Sequence, residues 1–202
     1  MRPEKSIEVR SAKELRDWLT ANHDLKDSFW LITYKKQSNF PYLSYNDIVD
    51  ELICFGWVDS MPKKLDVQRT MRRISPKASE SNWSGVNKRR VKKLTASGKM
   101  MPPGIAKVKI AKENGSWNFL DEVEQLIIPY DLEAALNSQP QAYYFFNRFP
   151  KSSKRNILEW IKSAKKETTR CKRISETALK ASKNLKANHP SGRDAGPSYS
   201  NA

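Results

Sequence analysis

Along the first part of the chain the spacing of apolar residues switches between three-to-four and two, the mark of helices interleaved with strands. Ser11 followed by Glu14 forms a capping box, and Leu15, Trp18 and Leu19 recur at helical spacing, which predicts a short amphipathic helix over 12–22. The stretch SFWLITYKK (28–36) is rich in aromatic and β-branched residues and predicts a strand. Its two sides, Phe29, Leu31 and Thr33 against Trp30, Ile32 and Tyr34, are both mostly apolar, so the strand is expected at the centre of a sheet, covered on each face. Ser44 with Asp47 caps a second helix, whose buried side is Ile48, Val49, Leu52 and Ile53 and which Gly56 ends. WVDS (57–60) reads as a short strand, and DVQRTMRRIS (66–75) as a polar strand suited to a sheet edge.

A third helix is predicted from Ser81 or Ser84 to Ser97, with Gly98 as its stop and Trp83, Val86 or Asn87, Val91 and Leu94 turned inward. Pro103 suits the first turn of a fourth helix that Gly115 terminates, and Trp117 and Phe119 are expected to close this core. From Pro129 onward only the helical period remains. Ala142, Phe145, Phe146 and Phe149 share one face, and Ile157, Leu158 and Ile161 share another. Cys171, Ile174, Ala178, Ala181 and Leu185 form the packing stripe of a last helix. The pattern therefore predicts an α+β fold: a small mixed or antiparallel sheet with covering helices over 1–120, an acidic connector over 121–130, and an all-helical module over 131–186. Residues 187–202, mixing Pro, Gly and Ser without periodicity, are expected to be a disordered tail.

Charge changes this picture more than composition does. The net charge of +15 is concentrated, since residues 61–120 carry 15 basic and 3 acidic side chains and residues 151–202 carry 13 and 4. Such blocks attract phosphates or acidic partners across a Debye length, although a solvated helix face accounts for them equally well. Cys54 and Cys171 lie far apart in apolar helical patterns, so both are expected as buried free thiols rather than a disulfide or zinc site. The opening residues carry no apolar run with a small-residue cleavage site, and no apolar span reaches membrane length, so a cytoplasmic protein is expected.

The chemistry in the sequence is sparse. His23 and His189 have no Cys, Asp or Glu at metal-ligand spacing, and no phosphate-binding, dinucleotide-binding or nucleophile-elbow motif occurs, so neither a metal nor a cofactor is expected. A polar and aromatic constellation remains. If 57–60 is a strand, Trp57 and Asp59 share a face, and Arg69, Met71, Arg73 and Ser75 share one on the polar strand. Asp59 and Arg73 then either pair across the sheet or line a pocket in which Arg73 holds an anion through its planar fork. Lys35, Trp57, Asp59, Arg73, Ser75, Trp83 and Asn87 are the candidate ligand-binding residues. The competing assignment is a nucleic-acid surface made of Lys88, Arg89, Lys92 and Lys93 along one helix face. An enzyme with Asp59 as base lacks a recognisable second catalytic partner.

Several Trp-containing strings also occur together in order: WLITYKK (30–36), YNDIVDELICFGWVDS (45–60), RISPK (73–77), SNWSGVNKRRVKKLTASGKM (81–100) and WIKSAKKETTRCKRI (160–174). In these the chain resembles the YdeI/OmdA proteins, the bacteriocin-protection or OmpD-associated family. The resemblance implies a role in stress or in resistance to antimicrobial peptides, and contact with an outer-membrane porin. It supplies no catalytic residues to carry over.

Overall fold

The structure is a computed structural model in which residues 3–188 are described. The chain divides into two compact units, Met1–Phe119 and Leu120–Ala202, and the fold is α+β.

The first unit contains β1 (Ser6–Glu8), α1 (Ala12–Asn22), β2 (Phe29–Tyr34), α2 (Tyr45–Cys54), β3 (Trp57–Lys64), β4 (Arg69–Pro76), α3 (Gly85–Ala96) and α4 (Pro102–Glu113). Its mixed four-stranded sheet has the order β1-β2-β4-β3, with β1 parallel to β2 and the other pairs antiparallel. Leu31 and Ile32, on opposite faces of β2, are both fully buried, as expected of an interior strand. The polar strand is not at the edge: β4 lies between β2 and β3 and buries Met71 and Ile74. The outer position falls to β3, which runs on past Ser60 through Met61, Pro62 and the lysines. An outer strand tolerates Pro62 because that residue owes no second ladder bond. β1 is too short for its alternation to be read from sequence.

Both predicted caps form. The hydroxyl of Ser11 accepts from the Glu14 amide, and Ser44 accepts from the Asp47 amide while donating to its carboxylate at 2.6 Å. Gly56 ends α2 in the left-handed region at φ 72°, which lets the chain reverse directly into β3. The core gathers Leu15 and Leu19 of α1, Ile48, Leu52 and Ile53 of α2, the sheet residues Leu31 and Ile74, and Val91 and Leu94 of α3. Of the alternatives Val86 and Asn87, Val86 is 49% exposed and Asn87 is half-buried, while Trp83 is buried as expected, from a position just before the helix, because Ser84 is the N-cap.

The second unit is helical: α5 (Asp121–Glu124), α6 (Tyr130–Asn137), α7 (Ala142–Arg148), α8 (Lys151–Lys162) and α9 (Glu167–Ala181). The acidic stretch expected as a connector contains α5. Its Glu122 pairs with Lys162 at 2.5 Å and its Glu124 with Arg155 at 3.1 Å, while Val123 is buried. On α9 the buried stripe is Ile174, Thr177, Ala178 and Ala181. Cys171 is exposed, contrary to expectation, and Cys54 is buried; both are free thiols. The burial of Thr177 leaves no orphan, because its hydroxyl donates to the Arg173 carbonyl one turn back, at 2.7 Å. Ala187 is 1% exposed, so packing reaches one residue into the expected tail. The rest of that tail from His189 lies outside the described residues.

Candidate functional site

The residues singled out from sequence do not come together. Trp57 opens β3 and is 2% exposed. Its ring sits 5.6 Å from Trp18 and 6.3 Å from Phe29, and its indole N–H donates to the His23 carbonyl at 3.3 Å. Trp83 is equally buried, 5.2 Å from Trp117. Asn87 belongs to the first turn of α3, where its amide donates to the Ser84 hydroxyl. These three act through packing and capping.

Register decides the Asp59 question. Asp59 lies opposite Ile74 on β4, so Arg72, two residues away, shares its face, whereas Arg73 projects from the other face opposite Trp30. The ion pair is therefore Asp59 with Arg72, at 2.8 Å, and not Asp59 with Arg73. Arg73 instead donates to the Ser28 hydroxyl at 3.2 Å, and Ser75 sits half-buried across from Val58 on that same far face. A bulge between Asp59 and Pro62 shifts the pairing by one residue, and no periodicity in the sequence announces it.

Next to the Asp59–Arg72 pair, where β2 and β4 meet the start of α2, an open pocket of about 370 Å³ is lined by Thr33, Lys35, Lys36, Tyr42, Tyr45 and Arg72, among others. The Arg72 guanidinium lies 4.5 Å from the centroid of Tyr45. Its Nη1 serves Asp59, and its Nε and Nη2 make no protein hydrogen bond among the described residues. Tyr42 and Tyr45 are 50% and 48% exposed. Partial burial, with the Asp59 carboxylate close by, holds the Tyr45 phenol above its ordinary value, so it stays protonated as a donor at neutral pH. The Lys35 ammonium is spent on the Asp66 and Val67 carbonyls at 2.6 and 2.8 Å, which pins the β3–β4 turn to the rim. Lys36 is exposed and has no ion-pair partner among the described residues. Sequence reasoning found Lys35 and Asp59 but missed Tyr42, Tyr45 and Arg72. The available signal was the pair of tyrosines flanking the Ser44 cap, aromatic side chains placed where no core can take them.

On α3, Arg89, Lys92 and Lys93 are exposed and lack an acidic partner among the described residues, while Lys88 lies 5.4 Å from the centroid of Trp117. Arg90, on the same helix, is tied to Asp50 and Asn46. Among the described residues no group of three or more His, Cys, Asp or Glu side chains is placed to hold a metal ion, and no helix is long and apolar enough to cross a membrane.

Residues 7–107 match the family described as a domain of unknown function (DUF8412), and residues 125–184 match the family described as bacteriocin-protection, YdeI or OmpD-associated. No curated protein and no solved structure matches the chain.

Proposed function

The chain belongs to the family described as a domain of unknown function (DUF8412) through residues 7–107 and matches the bacteriocin-protection, YdeI or OmpD-associated family over residues 125–184, and we propose that its first unit is a binding module for a small anionic molecule, working in the cytoplasm in resistance to antimicrobial peptides or a related stress. The observation that supports this reading is the open pocket beside Arg72. A carboxylate or phosphate takes the free Nε–Nη2 edge of the guanidinium in a two-pronged contact, with Lys36 adding charge at the rim. Asp59 orients the guanidinium from the other side, and a flat or apolar portion of the ligand lies against Tyr42 and Tyr45. Two free thiols suit a reducing compartment.

Titrating the full chain with inorganic phosphate and with benzoate, followed by amide NMR, is expected to shift resonances over 33–45 and at 70–72. Tyr45→Ala, which leaves the Asp59–Arg72 pair in place, is expected to weaken binding of benzoate at least tenfold, or about 1.4 kcal/mol. Arg72→Gln should abolish binding of both anions. Shifts elsewhere, or affinities unchanged by these substitutions, reject the pocket as an anion site.

A second reading rests on Arg89, Lys92 and Lys93, a basic helix face without a carboxylate partner among the described residues. If all three meet phosphates of a nucleic acid, binding falls by about 40-fold between 50 and 200 mM salt, from a slope of roughly 0.9 per contact. Fluorescence anisotropy of a labelled duplex measures this. Binding that ignores salt, or that survives charge reversal at these three positions, removes the reading.

A further inference from the structure

The second unit carries a groove that the anion reading does not use. It lies where the end of α6 turns into α7 and has a volume of about 630 Å³, within the range of about 300–1,000 Å³ typical of small-molecule sites. Its lining includes the carboxamides of Asn137, Gln139, Gln141 and Asn147, together with Tyr144 and Arg148. None of the four carboxamides makes a side-chain hydrogen bond among the described residues. Tyr144 is 52% exposed, with the Arg148 guanidinium 4.9 Å from its ring centroid. Gln141 holds a left-handed backbone at φ 57°, a conformation uncommon for a residue with a side chain, in the turn that joins the helices.

This lining has a definite chemical character. Each carboxamide offers a carbonyl acceptor and an amino donor side by side in one plane, which matches two neighbouring hydroxyls, each both donor and acceptor. The aromatic surface of Tyr144 suits the C–H face of a sugar ring. No carboxylate lines the groove and Arg148 is its one cation, so it neither repels nor selects strongly by charge. A polyanion would find too little charge there.

We infer that this groove binds a saccharide, with its hydroxyls held by the carboxamides of Asn137, Gln139, Gln141 and Asn147 and one pyranose ring set against Tyr144. The inference stands apart from the anion pocket of the first unit, and either can fail alone.

The test is a screen of the full chain against an array of α- and β-linked hexose, N-acetylhexosamine and uronic-acid oligomers, with binders then titrated by amide NMR. The expected result is binding by at least one class, with shifts confined to residues 136–148 and no change at 33–45. Tyr144→Ala is expected to weaken it at least tenfold, and the paired variant Asn137→Ala with Gln141→Ala by a similar factor. Both variants replace exposed side chains and should keep the wild-type NMR dispersion. An array without binders, shifts outside the groove, affinity indifferent to both variants, or a groove that takes an uncharged extended peptide in preference to every sugar overturns the proposal.

Discussion

Gly104→Ala is expected to destabilise the first unit by about 3 kcal/mol, even though alanine is the better helix former. Propensity alone favours the substitution by about 1 kcal/mol inside a helix. Packing reverses the sign. A Cβ at residue 104 would stand 2.2 Å from the Cys54 carbonyl oxygen, 2.7 Å from its carbon and 2.8 Å from the Ile53 oxygen. These are backbone atoms at the end of α2 and cannot swing aside as a side-chain tip would, so α4 itself must move. Overpacking of a core costs about 1–3 kcal/mol and occasionally more, and rigid neighbours put this case at the upper end. The shift also strains the bond from the Met101 amide to the Cys54 carbonyl, which satisfies one of the open carbonyls at the end of α2. Urea unfolding followed by Trp fluorescence measures the effect. Gly98→Ala is the matched comparison: Gly98 sits at φ 68° with no atom near the added Cβ, and should cost only the roughly 1–2 kcal/mol of a left-handed alanine. Equal losses at the two positions would show that close approach of α4 to α2 is not what residue 104 provides.

Lys77→Met is expected to stabilise the protein at neutral pH. Lys77 is 7% exposed, its ammonium donates to the Asn82 carbonyl at 3.0 Å and lies 4.8 Å from the centroid of Trp83, and no carboxylate faces it among the described residues. Burial pulls the ammonium down from 10.5 to about 8. Below pH 8 the side chain is charged whether the protein is folded or unfolded, and the cost of burying that charge, on the order of 3 kcal/mol, is fully present. Between pH 8 and 10.5 the unfolded chain keeps the proton that the folded chain has released, so the wild type gains stability as pH rises. Above 10.5 both forms are neutral and the cost is gone. Replacement by Met removes the charge and gives up one hydrogen bond from a charged donor, worth about 1.5–3 kcal/mol, leaving a net gain of at most about 1.5 kcal/mol at pH 7. The difference between variant and wild type is expected to shrink through pH 8–10.5 in paired urea titrations, which cancel every other titrating group. A difference that stays flat over that window would mean that Lys77 keeps an ordinary ammonium in the folded protein.

The helices of the first unit were legible because they carried their own punctuation. Ser11, Ser44 and Ser84 cap, Gly56, Gly98 and Gly115 stop, and the apolar stripes between them have enough turns to define a face. The errors have separate physical causes. β4 looks like an edge because its polar residues are many, yet Met71 and Ile74 supply one buried contact to each face, and a strand flanked by two antiparallel partners needs little more. Cys171 falls on the helical stripe of α9 but lies near its start and is exposed, and the buried part of the stripe runs from Ile174 to Ala181. Trp83 is buried as read, but of the two helix starts the sequence allowed, Ser84 is the one that caps, so Trp83 packs from just before α3.

The candidate site was half legible. Lys35 and Asp59 belong to the pocket region, but pairing Asp59 with Arg73 required a register that the sequence did not contain. Face sharing along one strand follows from the two-residue period alone. Which residues of a neighbouring strand share that face depends on register, and register here depends on a bulge and on a turn pinned by Lys35. The sequence by itself determined the α+β order, the caps and stops of the helices and the uneven charge, because those rest on contacts within a few residues. Only the tertiary structure decided that Arg72 and not Arg73 meets Asp59, that Tyr42 and Tyr45 border the same pocket, and that Gly104 lies against the end of α2, because each brings together segments whose approach is set by the packing of whole elements.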